Sequence, residues 1–79
     1  MTKSEVLAIF AQSKLPLKPD DVRGRLRPIP NRRSFYTYLL RLAKQGLLER
    51  DHLSGGGRLV YWITTRGRVR LNYLRERTG

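Results

Sequence analysis

A chain of 79 residues holds one domain, near the lower limit of what a single apolar core supports unaided. With no cysteine and a single histidine, disulfide staples and a zinc cluster are excluded, so the core rests on packing alone or on help from a partner subunit. Seventeen Lys and Arg against six Asp and Glu give a formal net charge of +11, a field that draws in polyanions.

In chain order, Thr2-Lys3-Ser4-Glu5 fits a capping box, and Val6, Leu7, Ile9, Phe10 and Ala11 follow at helical spacing, predicting a first helix over about residues 3–13. Leu15-Pro16-Leu17-Lys18 reads as extended, with Leu17 a very short strand. Pro19 suits the first turn of a second helix, and Asp20 and Asp21 sit where negative charge favours a helix start. Its apolar face is Val22 and Leu26, and it must stop by Arg27, because Pro28 and Pro30 follow. Asn31 is an N-cap for a third helix carrying Phe35, Tyr38, Leu39, Leu42 and Ala43 on one side, and Gly46 is its C-terminal stop.

After Gly46 the period changes. Leu47–Asp51 and Arg58–Thr64 are strand-like, the second rich in β-branched and aromatic residues, and Ser54-Gly55-Gly56-Gly57 joins them as a hairpin tip. Alternation along the second strand puts Leu59, Tyr61 and Ile63 toward the core and Val60 and Trp62 on the other face. Trp62 is then either packed against the first helix or the short extended piece, or exposed at a partner surface. Thr64 or Thr65 caps a last helix over about residues 66–77, apolar on two sides: Val69 with Tyr73, and Leu71 with Leu74.

Helix, extended piece, helix, helix, hairpin, helix is an α+β order. The stretch Ile29-Pro30-Asn31-Arg32-Arg33-Ser34-Phe35-Tyr36-Thr37-Tyr38-Leu39-Leu40-Arg41-Leu42-Ala43-Lys44-Gln45-Gly46-Leu47-Leu48-Glu49-Arg50 resembles the recognition-helix signature of bacterial and archaeal winged-helix regulators of the broad MarR and PadR kind. Val60-Tyr61-Trp62-Ile63-Thr64-Thr65-Arg66-Gly67-Arg68 is similar to the second wing strand and its run into the last helix in that superfamily. The resemblance covers residues 3–77. It implies a winged helix-turn-helix fold: a three-helix core, a recognition helix over about 31–46, a wing over about 47–64 and a C-terminal helix.

The residues support the same function on physical grounds. A recognition helix buries one face and lays the other in the major groove. With Phe35, Leu39 and Leu42 inside, the outward residues are Arg32, Arg33, Tyr36, Thr37, Leu40 and Lys44. Asn31, Arg32, Arg33 and Ser34 form the first turn, which reaches deepest. Arg pairs with guanine O6 and N7, Thr37 or Leu40 meets a thymine methyl, and Tyr36 reaches a phosphate or sugar. Arg41 and Lys44 lie toward the far end and suit the backbone, while Arg58 at the wing meets phosphate or the minor groove. Residues 22–48 carry seven cations and no acid, whereas an ordinary solvated face mixes signs to gain i,i+4 pairs. Leu40 fits a groove or a dimer contact equally.

No catalytic constellation, P-loop, dinucleotide fingerprint or metal-ligand cluster is visible, so neither an enzyme nor a cofactor is expected. No apolar run spans a membrane and no signal peptide opens the chain, so a cytoplasmic, nucleoid-associated location is expected. The expected protein is a double-stranded DNA-binding transcriptional regulator, homodimeric through its last helix. Two alternatives stay open: an RNA-binding winged helix, and a protein-interaction module of a larger complex.

Overall fold

The computed structural model describes residues 1–53 and 58–78, and the side chains of these other than Leu53, Arg58 and Thr78. The hairpin tip expected at residues 54–57 lies outside the described residues. The elements are α1 (Lys3–Gln12), α2 (Pro19–Arg23), α3 (Arg32–Lys44), β1 (Leu48–Leu53), β2 (Arg58–Ile63) and α4 (Thr65–Thr78), an α+β arrangement of four helices and an antiparallel hairpin.

Local chemistry explains each boundary. The capping box of α1 forms in both directions: the Glu5 amide donates to Thr2 Oγ1 at 3.2 Å, and the Thr2 amide to Glu5 Oε2 at 3.4 Å. Pro19 opens α2, whose regular part is only 5 residues. The chain then runs on in tight turns, with Arg25 N–H donating to Val22 O and Leu26 N–H to Arg23 O. Leu26 is therefore buried from a turn, not from the helix face expected of it.

Asn31 caps α3 by accepting the Ser34 amide at 3.2 Å. Gly46, at φ 80°, ends it in a Schellman motif: Leu47 N–H donates to Leu42 O and Gly46 N–H to Ala43 O, both at 3.0 Å. Leu47 and Leu42, the pair this motif brings together, are both buried. Thr64 then joins two helix ends. Its hydroxyl donates to Gly46 O at 2.6 Å and accepts from the Gly67 amide at 2.9 Å, capping α4 while holding it to the end of α3.

β1 and β2 pair in register from Leu48↔Ile63 to Leu53↔Arg58. Leu17 adds the expected short strand on the other edge of β2, exchanging two hydrogen bonds with Tyr61 at 2.8 and 2.9 Å. One core collects Val6, Leu7 and Phe10 from α1, Val22 and Leu26, Phe35, Leu39 and Leu42 from α3, Leu47, Leu48, Tyr61 and Ile63 from the hairpin, and Leu71 from α4. Val60, expected on the outer face of β2, is also buried, at 4% exposure, but outside that core cluster. Alternation tells which face a strand residue is on, and not whether that face is covered. Trp62 is half-buried and lines a cleft of about 300 Å³ with Phe10 and the Ser13–Pro16 segment, so it faces α1 and the extended piece across that cleft.

Among the described residues no buried side-chain polar atom lacks a hydrogen-bond partner, and no helix is long and apolar enough to cross a membrane.

Candidate nucleic-acid interface

Burying Phe35, Leu39 and Leu42 turns the opposite side of α3 to solvent. Asn31, Arg32, Arg33, Ser34, Thr37, Arg41 and Lys44 are exposed, while Tyr36 and Leu40 are half-buried. A shallow open depression of about 550 Å³ is lined by Asn31, Arg32, Arg33, Tyr36 and Thr37, so five of the expected contact residues share one surface. A second groove, about 400 Å³, runs beside it between Met1, Arg33, Ser34, Thr37, Tyr38 and Arg41. Met1 and Tyr38 were not expected at this surface. Met1 reaches it only because α1 packs as it does, and no local signal carries that.

The polar groups are not equally free. Asn31 Oδ1 is occupied by the Ser34 amide, leaving its NH₂ as the group available to a ligand. The Thr37 hydroxyl donates back to Arg33 O at 3.1 Å, so its hydrogen is committed to the helix while its oxygen still accepts. Arg32 is tied twice. Its Nη2 lies 3.3 Å from Asp20 Oδ2 in an exposed ion pair, and its guanidinium carbon sits 5.4 Å from the centre of the Tyr36 ring. Tyr36 first, and Asp20 second, hold the Arg32 guanidinium still further above its ordinary range. Arg33 forms no side-chain hydrogen bond or ion pair among the described residues.

The acid-free run of residues 22–48 is likewise not uniform once folded. Arg23 Nε donates to Pro30 O at 2.8 Å, and Arg27 Nη1 donates to Gly24 O and Leu26 O at 2.6 and 2.8 Å. Both cations brace the turn between α2 and α3. Asp20 lies just outside the acid-free run in sequence, yet the fold brings it to Arg32. Tyr38 sits at the edge of the buried face, where burial raises its phenol pKa above the usual value and Arg41 opposes the shift.

On the hairpin, Glu49, Arg50, Asp51 and His52 are exposed. His52 N–H donates to Asp51 Oδ1 at 2.8 Å, a local backbone contact. The side chain of Arg58, expected to contact the nucleic acid at the wing, lies outside the described ones. Among the described residues no group of three or more His, Cys, Asp or Glu is placed to hold a metal ion. No family model matches the chain, and no curated protein matches it.

Proposed function

We propose that the chain is a non-enzymatic winged helix-turn-helix protein that binds double-stranded DNA, with α3 in the major groove and the hairpin as the wing. The observation that carries this reading is the outward side of α3: Arg33, Arg41 and Lys44 exposed along three turns, with Asn31, Arg32, Tyr36 and Thr37 gathered in its first two turns. α3 is 13 residues long, about 20 Å at the standard rise, and a helix about 10–12 Å across suits a groove about 12 Å wide. The capped, glycine-terminated ends and the apolar underside make it a rigid reading element.

RNA is the weaker reading for one reason. Single-stranded RNA recognition uses open aromatic faces; of the two tyrosines at this surface, Tyr36 already has the Arg32 guanidinium against its ring and Tyr38 is half-buried. For the partner surface of a dimeric regulator we favour α4, where Val69 is 64% and Tyr73 49% exposed while Leu71 points into the core. Dimerisation there matches a two-fold protein to a palindromic site.

The test is a fluorescence-anisotropy titration of duplex DNA, single-stranded DNA and RNA over a range of salt. About six phosphate contacts give a slope of log K against log salt near −5 on duplex. Arg33→Ala, Arg41→Ala and Lys44→Ala should each make that slope shallower by about 0.9. A duplex affinity insensitive to salt, or unchanged by all three substitutions, would refute the proposal.

A further inference from the structure

Two adjacent arginines open α3, and the structure treats them differently. Arg32 has a carboxylate on one amino group and a ring against its guanidinium; Arg33 has neither among the described residues. We propose that Asp20 is a specificity determinant, which by pairing with Arg32 makes that arginine a reader of guanine and leaves Arg33 to hold phosphate. This rests on the duplex-DNA reading and adds to it which arginine carries sequence information, and why.

A phosphate attracts an arginine chiefly through net charge, and that attraction tolerates many geometries. A guanine edge attracts it through two fixed acceptors, O6 and N7, which need two N–H groups held in the right fork. Pairing with Asp20 cancels much of the Arg32 charge as felt from a distance, so the first attraction falls. The second is kept, because the guanidinium has five N–H donors and Asp20 meets it through one amino group. Asp20 is itself exposed, its side chain at 50%, so it also repels any phosphate that approaches Arg32.

Tyr36 limits the remaining freedom. It lies one helical turn after Arg32, with its ring 5.4 Å from the guanidinium carbon, so Arg32 is oriented by two groups from two different helices. An ion pair this exposed adds little to stability, so the pair's effect is sought in binding. Arg33, with its whole charge and no described partner, lines both grooves of the surface and is suited to the backbone.

The experiment is selection of preferred duplexes from a randomised pool by the wild-type chain, Asp20→Asn, Arg32→Lys and Arg33→Ala. Anisotropy titrations follow on the selected duplex, its guanine-substituted versions and a random duplex. The wild-type motif should contain a guanine whose replacement weakens binding about tenfold or more. Asp20→Asn should bind random duplex about threefold more tightly, with a salt slope steeper by about 0.9, and discriminate that guanine by no more than about threefold. Arg32→Lys, which keeps the charge and loses the fork, should lose the discrimination without the gain in random affinity. Arg33→Ala should weaken both duplexes equally.

Full guanine discrimination by Asp20→Asn, or its loss in Arg33→Ala but not Arg32→Lys, overturns the inference. So does a wild-type chain that binds duplex with no preferred guanine, and that result leaves the proposed function standing. Failure of the wild-type chain to bind duplex at all removes both. If Asp20→Asn melts well below wild type, Arg32→Lys against Arg33→Ala decides.

Discussion

Gly67 tests the join between α3, the hairpin and α4. A Cβ added there would fall far inside contact distance of the Leu47 carbonyl oxygen and 2.7 Å from Ile63 Cγ1. Carbon atoms pack best at about 3.5–4.0 Å, so relief needs a shift of about 1 Å between α4 and the turn after α3. That turn is not free to move. The Leu47 carbonyl accepts the Thr64 amide and is within 3.1 Å of the Thr64 hydroxyl, and Leu47 itself is buried in the core. Overpacking costs about 1–3 kcal/mol, and a weakened hydrogen bond at Leu47 adds about 1. Against this, alanine favours a helix over glycine by at most about 1 kcal/mol. Gly67→Ala should therefore destabilise the fold by about 1–3 kcal/mol, lowering Tm by roughly 5–20 °C in a domain of this size. Gly24→Ala is the control: its Cβ meets Asp20 O at 3.4 Å, at φ −66°, so it should be neutral or stabilising by up to about 0.5 kcal/mol. Circular-dichroism melts with urea titrations measure both. If Gly67→Ala melts within a few degrees of wild type, the close approach of α4 to Leu47 is wrong.

Three further outcomes follow from the same structure. Thr64→Val keeps the shape but removes the hydroxyl that caps Gly67 and holds Gly46, so urea denaturation should show a loss of about 1–2 kcal/mol, largely restored by Thr64→Ser. Burial raises the Tyr38 pKa from 10.0, so its neutral form favours the fold; that contribution is whole below about pH 10 and is lost as pH rises through the folded value. Melts from pH 8 to 11 should show Tyr38→Phe gaining on wild type only above about pH 10; parallel curves would mean the phenol is not buried. Arg66 and Arg70 line a depression along α4 with Leu47, Val69 and Tyr73, and Arg70 and Arg77 lie over the Tyr73 ring, so two copies meeting there bring like charges together. Self-association should then strengthen with salt, as the screening length falls from about 10 Å at 0.1 M to about 3 Å at 1 M, while DNA binding weakens. Sedimentation should show this, with Val69→Lys monomeric throughout; a wild-type chain monomeric at every salt concentration removes the α4 dimer.

Most of the fold was readable from the sequence because its punctuation is local. Thr2 with Glu5, Pro19, Asn31 and Gly46 each act on groups within a few residues, and the helices and strands begin and end beside them. The misses need knowledge of what lies across the fold. Leu26 is buried from a turn because the chain leaves α2 early, and Val60 is buried although alternation turns it away from the core cluster. Gly67 in sequence is only a glycine inside a helix, and the Leu47 carbonyl that excludes a side chain there is twenty residues away.

The candidate site shows the same division more sharply. Counting charge along residues 22–48 gives seven cations, all of them open to a polyanion. Folding removes Arg23 and Arg27 to carbonyls at the α2–α3 turn, and Asp20 offsets part of Arg32. Arg25, Arg33 and Lys44 are left exposed without a described side-chain partner, and the exposed Arg41 acts on the Tyr38 phenol. On the proposed duplex reading, that shorter set lowers the phosphate contacts expected from this segment and puts sequence preference on Arg32, whose charge Asp20 offsets. A surface made only of free cations would bind any duplex. One in which a carboxylate is spent beside a guanidinium has traded affinity for a preference, and the Asp20→Asn titration measures that exchange directly.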